Sequence, residues 1–504
     1  MAKVTPTISE SLNYIPVDIL RRIAGHLGFV GDMTSKAELL RDLPRLITQS
    51  QFNGNIAGLS IKARNRLWLE VMATMPYLPE LPIPDDPDPS TLDELMLSGL
   101  LLPQPNGPGE GRLVIPIELR PVLAEQFRQQ IAERILKPSP QRKTVRNRGE
   151  TFYRNFLTLA SLCARKRLRL TGQGRLFKRV RTELTELLDI PPGESDYYNP
   201  EEELFWLEQL GSYTGIISPV GESMRTTRAI FPWLNLTPRD RALDFMHIAM
   251  DHGPLSLALP LASRLIMCLN DGWRTPASVR EIAAELPGAD NLKMAWRFLF
   301  LCGAIEIGGD PVSIHLTPFG KSMLDPAASY APAYENALII QADFSVIAPK
   351  EMELGERWQL ERIADLAAQD SVYRYKLTRD SVQRALESGM EKEQLLEYLR
   401  GHSRQPLPQS VEYTLQNWMD RYGRLQFMPA FLLISQDDDL MDEVLHLPAV
   451  AANLIRQISP NVWAVRRDGY EDMLNALVKA GYMPKIARPP QRLRVWDPNR
   501  LPEE

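Results

Sequence analysis

Two stretches decide how this chain is read: Ala337-Leu338-Ile339-Ile340-Gln341-Ala342-Asp343-Phe344-Ser345-Val346-Ile347-Ala348-Pro349, and Thr378-Arg379-Asp380-Ser381-Val382-Gln383-Arg384-Ala385-Leu386-Glu387-Ser388-Gly389. In the first, apolar residues crowd the start and then alternate at Phe344, Val346 and Ala348. That is the pattern of a buried strand, or of two short strands turning at Ala342-Asp343. A polar helix is expected next, from about Glu356 to Ala368. In the second stretch Thr378 is an N-cap whose hydroxyl satisfies an orphan amide of the first turn. Gly389 is a C′ stop that adopts positive φ without strain. Val382, Ala385 and Leu386 share one face. A further helix, Glu391 to Arg400, buries Leu395, Leu396 and Leu399, and a third starts at Pro408 and turns Val411, Leu415 and Trp418 to Met419 inward. The segment reads as a small β element followed by three short helices on one core.

The run Thr378 to Met390, continued by Gln394-Leu395-Leu396-Glu397-Tyr398-Leu399, resembles two related domains. One is the N-terminal domain of the XPB helicase family. The other is the "clutch" of the winged-helix subunit of TFIIH that binds XPB. Ile339 to Val346 falls at their first strand pair, and Pro406-Leu407-Pro408 and Asp420 to Arg424 fall at a proline-led third helix and its closing turn. The matching positions are Phe344, Thr378, Ser381, Val382, Ala385, Leu386, Gly389, Leu396 and Leu399, most of them structural. In that family the clutch pairs with the similar domain of XPB and the partner's ATPase is stimulated. The resemblance therefore implies an XPB-like helicase as partner. Its contact surface would be an exposed strand edge near Ile339–Val346 with neighbouring polar positions, as in β-augmentation: Ile339, Gln341, Asp343, Phe344, Arg379 and Arg384.

At 504 residues the chain is too long for a single core. It is 44% hydrophobic and 24% charged, with a net charge of −5, so any contact with nucleic acid has to be a local patch. Cys163, Cys268 and Cys302 lack CxxC spacing and read as buried free thiols of a reducing compartment. The N-terminus lacks a signal-peptide pattern, and no apolar run reaches about eighteen residues. A cytoplasmic, nucleoid-associated protein is expected.

The expected fold class is mainly α with small β-hairpins: tandem winged-helix-like modules followed by a small α/β clutch-like domain. Residues 1–50 resemble a SAP-type DNA-binding helical hairpin, with Thr34-Ser35 and Glu38 forming a capping pattern and Lys36 at the start of the second helix. Residues 56–130 form a winged-helix-like unit, with "SGLLLP" and "RLVIP" as its wing. Residues 142–252 form a basic winged-helix-like unit and a linking helix, in which Ala229 to Asn235 returns as a strand against Ile216-Ile217. Residues 261–325 are the clearest winged helix: Thr275 to Leu286 is helix two, Asn291 to Cys302 sits at the recognition-helix position, and Gly303 to Thr317 makes the wing. The clutch-like domain occupies 336–484, and 485–504 reads as a disordered tail.

Charge is most uneven between Arg142 and Arg181, where Glu150 is the only acid. Arg165, Lys166, Arg167, Arg169, Arg175, Lys178, Arg179 and Arg181 are the candidates for phosphate contact, because lysine and arginine release condensed counterions on binding. The competing reading is a solvated face salt-bridged to Glu183, Glu186 and Glu201–Glu203. Lys36, Lys293 and Arg297 are further nucleic-acid candidates. Few exposed polar residues lie in the first half of the 291–302 helix to reach base edges, and Met294, Trp296, Phe298, Leu299 and Phe300 read as core or as a protein-binding face.

Motifs of catalysis are absent. Gly320-Lys321-Ser322 is the only GKS, and the P-loop glycine it requires is replaced by His315. No histidine pair has metal-ligand spacing, and Asp437-Asp438-Asp439 reads as a helix N-terminus favouring acids. No cofactor and no metal are expected, and no enzyme activity. The expected function is a non-catalytic, DNA-associated adaptor that binds and regulates or positions an XPB-like helicase. A stand-alone DNA-binding regulator is the alternative.

Overall fold

The computed structural model describes residues 5–52, 55–74, 88–105, 112–140, 145–165, 168–172, 176–191, 198–267, 272–276, 289–309, 312–425 and 430–486. Lys166, Arg167, Arg175, most of the helix expected over Thr275 to Leu286 and nearly all of the tail lie outside the described residues. The chain divides into two units, Met1–Met419 and Asp420–Glu504. That division falls inside the 336–484 segment read from the sequence as one domain.

The first unit holds two cores. The larger draws on residues 8–324 together with Leu354 and Trp358, and the smaller on residues 338–419. In the larger core, helices alternate with short antiparallel ladders. Leu102–Pro103 pairs with Leu113–Val114. Ser223–Thr226 pairs with both Ile217–Val220 and Leu168–Arg169. A five-stranded antiparallel sheet runs in the order Leu136–Pro138, Arg274–Pro276, Ser313–Leu316, Ile305–Gly308, Val145–Arg146. The 305–316 hairpin is therefore flanked on one side by residues 145–146 and extended on the other by 274–276 and 136–138. Segments assigned from the sequence to different modules share this sheet.

Three expectations need correction. Ala229 to Asn235 is no strand; Ile230–Leu234 is a short helix that buries Ile230 and Trp233. The partner of Ile217–Val220 arrives sooner, because Gly221 at φ +62° closes a tight turn straight into Ser223. The helix expected over Glu356 to Ala368 spans only Leu354–Ile363, and Asp365–Gln369 is a strand. Thr275 and Pro276 likewise begin no helix but close the strand Arg274–Pro276.

In the smaller core a four-stranded antiparallel sheet has the order Ile339–Ile340, Ser345–Ala348, Tyr373–Lys376, Asp365–Gln369. Gln341 to Phe344 makes the first turn, with the Phe344 amide donating to the Gln341 carbonyl at 3.0 Å. Three helices follow at Arg379–Glu387, Lys392–His402 and Gln409–Arg421. Thr378 and Ser381 form a reciprocal capping box, and Gly389 takes φ +89° past the end of the first helix. Leu395, Leu399, Val411, Leu415 and Met419 are buried as their spacing requires.

The second unit is a three-stranded antiparallel sheet, Phe431–Ile434, Val462–Val465, Leu454–Ser459, with Val462–Val465 central. The helices Asp438–Leu445, Pro448–Ala451 and Tyr470–Lys479 supply Val444, Val450, Met473 and Leu477 to its core. Asp437 caps the first of these by accepting from the Asp439 amide at 3.1 Å.

Candidate functional site

The helix Thr151–Arg165 is apolar on nearly every side, with Phe152, Phe156, Leu157, Leu159, Ala160, Leu162 and Cys163 all buried. Thr158, Ser161 and Arg165 interrupt that surface at the spacing of one helical face. They meet the helix Leu354–Ile363, which serves both cores: Leu354 and Trp358 belong to the larger, Leu360 and Ile363 to the smaller. On its face toward Thr151–Arg165 it carries Arg357 and Glu361, an i,i+4 pair with both side chains at 0% exposure.

The charged groups of this junction are all partnered. Glu361 accepts from Arg165, from the Ser161 hydroxyl at 2.7 Å, from the Tyr375 hydroxyl at 2.8 Å and from Arg357 at 3.1 Å. Arg357 also donates to Thr158, to the Arg154 carbonyl at 3.2 Å and to the Tyr375 hydroxyl at 3.0 Å, and it lies 3.9 Å from the centre of the Tyr373 ring. Burial alone would raise Glu361, yet the Arg165 and Arg357 charges hold it below the usual carboxylate range. Burial likewise opposes the charge on Arg357, and Tyr373, Tyr375 and Glu361 overcome it. A second buried pair shows the opposite balance. Glu203 accepts from Arg148, Asn155 and Tyr198, but burial outweighs the single arginine and its carboxyl is raised.

Arg165, read from the sequence as a phosphate contact, is thus committed inward to Glu361, and it reaches Asp365 at 3.4 Å. Arg384, read as a partner-facing residue, binds the same Asp365. Two arginines more than two hundred residues apart in sequence therefore share one carboxylate. The remaining basic candidates are dispersed. Arg179 is exposed and paired with Glu183 at 3.1 Å, and Arg181 lies near Glu201 and Glu208 at 3.4 and 3.3 Å. Arg169 and Lys178 face solvent. Lys36 is exposed, 3.4 Å from the Asn13 carbonyl. Lys293 is exposed at the start of the helix Leu292–Leu301, whereas Arg297 is paired with Glu202 at 2.8 Å. Trp296, Phe298, Leu299 and Phe300 of that helix are core.

Among the partner-facing candidates, Ile339 lies on the edge strand and is 42% exposed. Val346 does not lie on an edge: its strand is interior to the sheet and the residue is fully buried. The edge is partly covered as well, since Leu338 donates to the His402 carbonyl at 2.7 Å and accepts from the Arg404 amide at 2.9 Å. Gln341 and Asp343 are exposed at the turn; Asp343 is held by the Ser345 amide at 3.1 Å and by Lys376 at 3.3 Å. Phe344 takes φ +70° and stacks on Trp418 with ring centres 5.5 Å apart. Arg379 is exposed.

Sequence reading did not single out Arg357, Trp358, Glu361 or Arg362. The available signal was the trio Thr158, Ser161 and Arg165 on an otherwise apolar helix, since such a stripe needs a polar partner.

Residues 338–459 match the family model described as a helicase conserved C-terminal domain. This region is helicase-related. Over 155 residues the chain is 29% identical to the "DNA 3'-5' helicase XPB" of Mycobacterium tuberculosis (strain ATCC 25618 / H37Rv). That similarity covers 29% of this chain and 28% of the helicase, so the chain corresponds to little more than a quarter of that relative's length.

Proposed function

We propose that the chain is a non-catalytic, DNA-associated partner of an XPB-like helicase, with the helicase-related region as its docking domain and the upstream helix-and-hairpin modules, read as winged helices, as its DNA-associated part. The observation that carries this is the junction at Arg357 and Glu361. It fixes the helicase-related core onto the helix Thr151–Arg165 through buried, fully partnered charges. A partner held by residues 338–419 would be positioned rigidly against the upstream modules. The chain has no nucleotide-binding motif around its single GKS, in keeping with a role that leaves ATP hydrolysis to the partner.

The test combines purification and kinetics. Tagged full-length protein is captured from its native cell after nuclease treatment, and the ATPase rate of any co-purifying helicase is measured with and without the chain. A stoichiometric helicase whose DNA-dependent ATPase rises with the chain supports the proposal. DNA-dependent ATP hydrolysis by the purified chain alone overturns the non-catalytic part. Recovery of nucleic acid without any helicase overturns the adaptor part in favour of a stand-alone DNA-binding regulator.

A further inference from the structure

A cleft of about 260 Å³ opens beside the buried junction, between the end of the helix Thr151–Arg165, the segment Thr226 to Phe231 and the helices Leu354–Ile363 and Arg379–Glu387. Four arginines line it (Arg165, Arg228, Arg362 and Arg384) against one carboxylate, Glu361. That carboxylate is already saturated by four donors. The nearby Asp365 is shared by Arg165 and Arg384. Positive charge is therefore left over, and it belongs to Arg228 and Arg362. The Arg228 side chain has no partner among the described residues. Arg362 donates only to neutral groups, Gln359 at 3.0 Å and Ser388 at 3.1 Å, while burial weakens its hold on its proton.

Two uncompensated guanidinium groups leave the surface of this cleft short of negative charge. A phosphate supplies that charge, and the planar guanidinium forks of arginine suit its oxygens. Phe231 stands at the same cleft and is 48% exposed. An aromatic face beside arginines is the arrangement on which a base stacks while its phosphate is held. The volume lies just below the roughly 300–1,000 Å³ of drug-sized pockets. It suits one nucleotide unit and not a duplex.

We propose that this cleft is a phosphate-recognition site, in which Arg228 and Arg362 hold the phosphate of a nucleotide unit and Phe231 stacks on its base. The site goes beyond the adaptor reading and stands whether or not a helicase is bound. The unit has two possible sources, a nucleic-acid strand or a free mononucleotide.

The experiment uses the full chain without any helicase. Anisotropy of a fluorescein-labelled single-stranded oligonucleotide is titrated at several salt concentrations, and melting is compared in sodium phosphate and in sodium chloride of equal ionic strength. Arg228→Gln/Arg362→Gln is expected to weaken the oligonucleotide about tenfold or more and to abolish the phosphate-dependent rise in Tm. Its log K against log salt slope should be shallower by roughly 0.7, the value for one phosphate of a single strand. Phe231→Leu should weaken binding severalfold with the slope unchanged, and Arg400→Gln, at a residue that does not line the cleft and is paired with Glu412, should bind normally. Competition by adenosine monophosphate at matched ionic strength would assign the site to a mononucleotide, and its failure to compete would assign it to a strand. Unchanged oligonucleotide and phosphate responses in the double variant overturn the proposal. If that variant fails to fold, Arg228→Gln alone, at an exposed position, is measured in its place: weakened binding supports the site, and unchanged binding overturns it.

Discussion

Glu361 gathers four side-chain donors in the buried junction. Removing one partner of a buried ion pair leaves the other uncompensated, at a cost of roughly 3–5 kcal/mol. Glu361→Gln should therefore lose about that much stability at neutral pH, read as a fall in the urea midpoint. The folded state holds this carboxyl below its unfolded value, so its contribution is complete above the unfolded pKa of about 4.3 and is lost as pH falls through the folded pKa. The gap between wild type and Glu361→Gln should accordingly hold from pH 7 down to about 4.3 and narrow as pH is lowered further; a gap that stays constant there would show that the carboxylate charge is not what the junction needs. Glycine sets a different kind of limit. A Cβ on Gly303, already at φ +76°, would lie 2.1 Å from the Gly149 carbonyl oxygen. Gly303→Ala should thus destabilise by more than the about 1 kcal/mol of an average substitution, as measured by Tm. The buried thiols of Cys163 and Cys302, both pushed up to about 12 by burial, should resist alkylation in the folded protein.

Between residue and fold stand the helices, and two of them explain the site. Leu354–Ile363 is apolar on two faces and ionic on a third because it serves two cores and a charged junction at once. Its average amphipathicity is correspondingly weak, and its periodicity alone misplaced its end. Arg379–Glu387 is the opposite case, with a capping box at Thr378 and Ser381 and one apolar face. Thr378→Ala should cost about 1 kcal/mol through the lost cap. Ser381→Ala should cost more, because the Ser381 hydroxyl also donates to the buried Ile363 carbonyl at 2.7 Å. Equal losses in the two variants would show that the bond to Ile363 contributes nothing beyond the cap.

At the scale of the molecule, the five-stranded sheet ties residues 136–146 to residues 274–316. A fragment cut at 142 and 252, the bounds suggested by the sequence, would strand Val145–Arg146 without its neighbour Ile305–Gly308. It would also expose apolar side chains of Thr151–Arg165, among them Tyr153, which packs on Phe319. That fragment should lack a cooperative melting transition by circular dichroism, whereas residues 1–419 should show one. A cooperative transition in the short fragment would mean that the shared sheet is dispensable.

Local signals were sufficient where a decision depends on neighbours a few residues away. The cap at Thr378, the stop at Gly389, the strand turn at Gln341 to Phe344 and the apolar faces through Met419 were legible because hydrogen bonding and burial there follow from spacing within one element. The helicase-related segment was legible for the same reason. What lies between elements was not. The pairing of residues 145–146 with 305–308, the inward turn of Arg165 onto Glu361, the shared Asp365 and the arginine-lined cleft each join groups more than a hundred residues apart. A charge in a sequence reads as a solvated charge. Only the packing of two helices around Arg357 and Glu361 decides which arginines are consumed by buried carboxylates, and which are left to meet a ligand.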